Sequence, residues 1–227
     1  MAIKKILVVS GWGPPMIDGP SIILGNLLRE FDRERTILFT RRMDSNNSVF
    51  YKDGNVLNIK KYSVYVPSPF TANSQNSRRL FRLLEIAFIP LTTVRGILVC
   101  LKEKVNCILA TSDQPHAHFL PTAYCISRLM KKQLILYLLD PIEGFRMGRI
   151  QRLLMKMLMP RLLKYASTIF VMSDVLAEHY QRKYGVKCEV LPHSVGEING
   201  EYKTIATNRE QKEETEIVFS GKVSQYQ

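Results

Sequence analysis

His116 and His118 stand two residues apart in the segment SDQPHAH, where an imidazole can donate to or accept from an incoming hydroxyl group. Packing or capping at a helix start is the other use for the same pair. The spacing is poor for a metal on a helix, and no nearby third His, Cys or carboxylate completes a ligand set, so no zinc site is expected. Asp140 closes the apolar run LILYLL and precedes Pro141. A carboxylate there can orient a substrate hydroxyl, or it can start an Asp-Pro turn. Ser173 ends TIFVMS and opens DVLAEHYQRKYG, a place that suits substrate contact or a helix N-cap. No D-x-D carboxylate pair occurs, so nothing calls for a catalytic metal. The loop GWGPPMIDGPS, with Gly11 and Gly19, lets backbone approach a ligand and leads into a helix whose amino terminus favours anions. An ordinary turn is the alternative. The loop lacks G-x-G-x-x-G, and no G-x-x-x-x-G-K-[ST] occurs, so neither a nicotinamide or flavin cofactor nor a P-loop is supported.

The elements that position these residues read as alternating strands and helices. Residues 6–9 form an apolar run between Lys5 and the Gly/Pro loop, the pattern of a parallel strand buried on both faces. Ile23, Leu24, Leu27, Leu28 and Phe31 then recur at helical spacing, with Pro20 suited to a first turn. Strand-like runs follow at 36–40, 64–66, 107–110, 134–138 and 168–172. This alternation predicts an α/β fold with a doubly wound, mostly parallel Rossmann-like sheet. Ligands of such sheets bind beyond the carboxyl ends of the strands. Gly11, Gly19, His116, His118, Asp140, Arg146 and Ser173 are therefore expected along one rim.

Apolar residues make up 46% of the 227-residue chain and charged residues 23%, the balance of a folded domain and not of a disordered one. Lys and Arg number 32 against 20 Asp and Glu, a net charge of +12 that favours an anionic partner. The excess lies before residue 197, since the remainder holds more acids than bases. Nucleic acid would satisfy the charge alone, but neither a basic motif interleaved with aromatics nor a helix-turn-helix pattern occurs. Cys100, Cys107, Cys125 and Cys188 form no C-x-x-C pair and read as reduced core residues. The opening apolar run is too short for a signal-peptide core.

Three stretches look membrane-facing, the third of them, Arg41 with Arg42, only as a charged loop start. The segment 148–165 repeats Arg149, Arg152 and Lys156 along one side, with Ile150, Leu153, Leu154, Met157 and Leu158 on the other. That is a basic amphipathic helix suited to an anionic membrane surface, or a crossover helix with a solvated basic face. The segment 78–101 contains LLEIAFIPLTTV, interrupted by Glu85, Pro90 and Arg95. It reads as a buried crossover helix more than a spanning one.

After residue 196 the pattern fades into a polar stretch, 196–215, with the composition of an interdomain connector. A strand and Gly turn, EIVFSGKVS, then resume. The expected organisation is a main domain over 1–195, a linker over 196–215 and the start of a second domain over 216–227. At this point several segments together resemble the GT4 family of GT-B glycosyltransferases. YASTIFVMSDVLAEHYQRKYGVKCEVLPHSV resembles the family's block of strand, serine, helix, Tyr-Gly, strand and Pro-Asn-Gly-Val. IVFSGKVS is similar to the opening strand and Gly turn of its donor domain, with Gly221 in the glycine place. KKILVVSGWGPP through GPS is similar to its first strand and glycine loop, and LYLLDP resembles its HD or RD site. The chain departs from the family in having Pro20 where a second glycine is usual, and Leu139 where many members carry histidine.

The resemblance implies a retaining, hexosyltransferase-type transfer of a sugar from a nucleotide diphosphate sugar to an acceptor bound mainly by this half. The acceptor would be lipid-linked or a polysaccharide. It implies no metal or tightly bound cofactor, with the nucleotide sugar as co-substrate and Gly221 on the donor side. The family's donor-gripping Arg, Lys and E-x7-E element would lie beyond Gln227, so the chain is expected to be inactive alone. It would work in the cytoplasm, at the inner face of the membrane. The alternative is a non-catalytic acceptor-binding or membrane-recruiting subunit that works with a separately encoded donor domain.

Overall fold

The computed structural model describes residues 5–11, 13, 19–42, 59–66, 75–112, 118–142 and 147–192. Among them, β1 (Ile6–Ser10), β2 (Thr36–Arg41), β4 (Cys107–Ser112), β5 (Gln133–Leu138) and β6 (Thr168–Val171) form where the apolar runs predict strands. At the sheet edges lie β3 (Lys60–Val64) and β7 (Glu189–Val190). The sheet order is β3-β2-β1-β4-β5-β6-β7, and every pairing is parallel. The third strand lies earlier than the expected 64–66. Lys60 pairs with Ile37 and Val64 with Arg41, and an edge strand tolerates the polar sequence KKYSV because only one side of it is paired.

Among the described residues six helices connect the strands: α1 (Gly19–Arg29), α2 (Gln75–Ala87), α3 (Ile89–Glu103), α4 (Phe119–Met130), α5 (Arg149–Tyr165) and α6 (Asp174–Tyr184). Side chains alternate across the strands, so Val8, Leu38 and Leu109 meet Leu24 and Leu28 of α1 on one face. Leu7, Val9, Ile37, Phe39, Ile108 and Ala110 face the other way. That second core is closed by Val99 and Cys100 of α3, Phe119 and Ala123 of α4, Met155 and Met159 of α5, and Tyr180 of α6. Right-handed crossovers account for the division, because strands added on opposite sides of β1 carry their helices on opposite faces.

The segment expected as one crossover helix is two, joined at Phe88. Pro90 occupies the first turn of α3, and the Phe88 carbonyl accepts from the Thr92 amide at 2.9 Å and the Thr92 hydroxyl at 2.8 Å. By length and composition Leu80–Glu103 is apolar enough to cross a bilayer. Here Thr92, Gly96, Val99, Cys100 and Glu103 pack inward, whereas Leu91, Val94, Leu98 and Leu101 are 54–59% exposed. The expectation of a buried crossover helix is corrected for α3: it packs one face inward and turns an apolar stripe outward. Gly96 sets the approach of α3 to α4, since a Cβ there would lie 2.2 Å from Ile126 Cδ1. All described residues fall within one compact unit, Met1–Gly196. The expected linker and donor-domain start lie outside the described residues.

Candidate functional site

Because the strands are parallel, the carboxyl ends of β1, β4, β5 and β6 share one edge, and the order reverses between β1 and β4. That reversal opens a crevice at the topological switch point. Gly11 and Gly13 follow β1 and are buried. A Cβ on Gly13 would sit 3.1 Å from Leu38 Cδ2 and 3.4 Å from Thr40 Oγ1, so glycine lets the chain leave β1 close against β2. Gly19 begins α1, and a Cβ there would meet nothing within 4 Å, so no steric demand requires glycine at that position.

Asp140 stands just beyond β5, and its surroundings fix the backbone on both sides. The Leu139 amide donates to the Ser112 hydroxyl at 2.9 Å, tying β5 to the end of β4 past the last ladder bond. The Tyr180 hydroxyl of α6 accepts from the Ile142 amide and donates to the Asp140 carbonyl, both at 3.4 Å. Ser112 and Tyr180 are fully buried. Partial burial holds the Asp140 carboxyl above the ordinary carboxylate value, because a low-dielectric setting disfavours the charge.

His118 occupies a different setting from the open rim that its place after β4 predicts. It is 1% exposed and precedes α4 without capping it. Its Nδ1 lies 3.6 Å from Oε1 of Glu85, also 1% exposed. Glu85 Oε2 accepts from Gln151 Nε2 at 2.6 Å, and Gln151 Oε1 accepts from the Gly148 amide at 3.0 Å. One imidazole, one carboxylate and one amide thus join α4, α2 and the start of α5. Burial pushes the His118 pKa below the ordinary imidazole value; Glu85 opposes this and Arg41 of β2 adds to it. The neutral ring is favoured, and it is shielded from solvent.

Gly11, Asp140 and Ser173 follow their strands along the one carboxyl edge, whereas His118 is enclosed, which corrects the expectation that this histidine lies open in the crevice. Ser173 is the N-cap of α6, accepting from the Leu176 amide at 3.3 Å, so its hydroxyl is committed to the helix. His116, Arg146 and Gly221 lie outside the described residues. Arg149, Arg152 and Lys156 are exposed as expected. Their expected apolar counterpart is corrected: Ile150, Leu153 and Met157 are 56–59% exposed, and the buried stripe is Gln151, Met155, Met159, Leu162 and Leu163. The hydrophobic pattern of α5 is wider than the face the core covers, leaving an apolar ridge beside the basic one. Sequence reading missed Ser112, Tyr180, Glu85 and Gln151. Only Gln151 had a local signal, its third position after Gly148 at the helix start, which is half of a capping box. Among the described residues no group of three His, Cys, Asp or Glu is arranged to hold a metal ion.

No family model and no curated protein matches the chain. Solved structures do. A glycosyltransferase from Rickettsia africae ESF-5 is 12% identical with a TM-score of 0.47, covering 83% of this chain and 43% of its own. Acinetobacter baumannii MurG is 9% identical with a TM-score of 0.45, covering 85% and 46%. Phytolacca americana UGT2, solved with UDP-2-fluoro-glucose and pterostilbene, is 9% identical with a TM-score of 0.51, covering 85% and 54%. The chain spans about half the length of these structures. At such identities the likeness to the last is one of fold: the parallel Rossmann-like sheet is that of the amino-terminal half of a GT-B protein.

Proposed function

We propose that this chain is the acceptor-side half of a glycosyltransferase of the GT4 type, moving a hexose from a nucleotide sugar to a lipid-linked or polysaccharide acceptor. The observation that carries the proposal is Asp140, a partly desolvated carboxylate at the carboxyl edge of a GT-B-type sheet, one strand beyond the switch point, on backbone held by Ser112 and Tyr180. In this reading the carboxylate accepts a hydrogen bond from the acceptor hydroxyl and orients its oxygen toward the sugar carbon. The hydroxyl oxygen attacks the sugar carbon on the face that the nucleoside diphosphate leaves, so configuration is retained; the diphosphate oxygen takes the electrons of the broken bond and the hydroxyl proton. Cations that stabilise the departing diphosphate belong to a donor domain. No metal or bound cofactor has a role.

The test is sugar transfer from a panel of nucleotide sugars, using the 227-residue chain alone and mixed with a donor-domain fragment. Transfer is expected only in the mixture, and Asp140→Asn is expected to lower it about a hundredfold. Robust turnover by the isolated chain, or an unaffected Asp140→Asn mixture, overturns the assignment. The enclosure of His118 favours a second reading, a non-catalytic acceptor-binding or recruiting subunit; binding of acceptor with no transfer in any mixture selects it. The proposed location is the cytoplasmic face of an anionic membrane, supported by exposed Arg149, Arg152 and Lys156 beside the apolar ridge of α5.

A further inference from the structure

Between α2 and α5 runs a half-open groove of about 530 Å³, lined by Arg82, Leu83, Ile86, Arg149, Ile150 and Gln151, with Gly148 and Met147 at one end. Its volume lies within the range of small-molecule sites. Neither Arg82 nor Arg149 has an acidic partner among the described residues. Gly148 leaves room for the Arg82 side chain, since a Cβ there would lie 3.3 Å from Arg82 Cδ. The carboxylate nearest in chain, Glu85, is turned away from solvent and engaged by Gln151 and His118. Helix α5 contains no acidic residue. Two guanidinium groups therefore face an apolar trough with no anion among the described residues to neutralise them.

That combination selects the ligand. Guanidinium groups pair with phosphate oxygens through directed N–H bonds, and the aliphatic walls offer nothing to a sugar hydroxyl. Among the described residues no aromatic ring lines the groove to stack on a nucleobase. The walls also continue outward into exposed Leu80 (57%), Leu83 (45%), Leu153 (59%) and Met157 (57%), so the groove opens at the surface best suited to a bilayer. We propose that the groove between α2 and α5 holds one phosphate-headed lipid, its phosphate on Arg82 and Arg149 and its first methylenes along Leu83, Ile86 and Ile150. The proposal rests on the lipid-linked reading of the acceptor and narrows it to a chain carried on a phosphate. Ile86 and Gln151 line this groove and also the closed space beside His118, so a lipid seated here lies one side-chain layer from the buried cluster.

The experiment is titration of the purified 227-residue chain with dodecyl phosphate below its micellar concentration, followed by calorimetry. Saturable one-to-one binding is expected, with Arg82→Gln and Arg149→Gln each raising Kd about tenfold and Leu98→Gln on α3 leaving it unchanged. Circular dichroism confirms that the variants fold. Inorganic phosphate binding as tightly as dodecyl phosphate overturns the lipid in favour of a free-phosphate site. Displacement by UDP overturns it in favour of a nucleotide site, and equal binding of dodecyl maltoside removes the role of the charge. Binding unaffected by both arginine variants places the lipid elsewhere and sinks the proposal. No donor sugar enters this assay, so failure of the transfer reading shows separately, as absent turnover with dodecyl phosphate binding intact.

Discussion

At the scale of single residues, the positions that matter most are held by partners far away in the chain. Tyr180 reaches 40 residues back to the Asp140 carbonyl, and Gln151 reaches 66 back to Glu85. Tyr180→Phe removes two long hydrogen bonds and is expected to cost about 1 kcal/mol of stability, with a larger fractional loss of acceptor affinity as the Asp140 turn loosens; urea midpoints and titration separate the effects. His118 gives a pH dependence with a definite sign. Its folded pKa lies below the ordinary 6.5, so the unfolded chain binds more protons, and stability present above about pH 6.5 is lost as the pH falls through and below it. The groups facing the ring are Glu85 of α2 and Arg41 of β2. Urea midpoints at pH 7.5 and 5.5 should fall toward the acid side in the wild type and change less in His118→Gln. A rise on acidification would mean that Glu85 outweighs burial. The rim position of Asp140 was legible because a polar residue ended an apolar run. The enclosure of His118 was not, since the helices that close over it are named by no local pattern.

At the scale of elements, legibility follows burial. The strands buried on both faces announce themselves as continuous apolar runs, whereas β3 is polar and its start was misplaced. Helix α5 and the α2–α3 pair carry more apolar residues than the core needs, so periodicity identified the helices but not which residues face inward. Gly96 tests the α3–α4 contact. Alanine favours helix by about 1 kcal/mol over glycine, but overpacking a closed interior costs about 1–3 kcal/mol. Ile126 is fully buried and cannot swing aside, so Gly96→Ala is expected to destabilise. Ile126→Val, which removes the Cδ1 atom 2.2 Å from the new methyl position, should recover part of the loss, and thermal melts of the single and double variants check both. Lys104 ends α3 in the left-handed region at φ 56°. Lys104→Gly is expected to stabilise by about 1 kcal/mol, because glycine adopts that conformation without the Cβ penalty.

At the scale of the whole molecule, charge and exposed apolar surface point the same way. The +12 excess and the ridges of α3 and α5 both suit an anionic bilayer. Each basic residue at such a surface contributes about 1 kcal/mol. Replacing Arg149, Arg152 and Lys156 together by Gln is expected to lower partition onto anionic vesicles roughly a hundredfold. Folding should be unaffected, since exposed charges add little to stability. Sedimentation at low salt measures it, and unchanged binding would remove the membrane role from α5.

The sheet order has a consequence for how the protein comes into being. The interior strand β1 is made before its two neighbours, and those neighbours are made far apart in time. Ile6 pairs with Thr36 on one side and with Cys107 on the other. At ribosomal rates of about 5–20 residues per second, the second side of β1 stays open for on the order of ten seconds after β2 has emerged. During that interval Ile6, Leu7, Val8 and Val9 present an unpaired edge that any other nascent strand can take up. A strand buried on both faces in the finished domain is therefore one that needs chaperone cover while the chain is still on the ribosome.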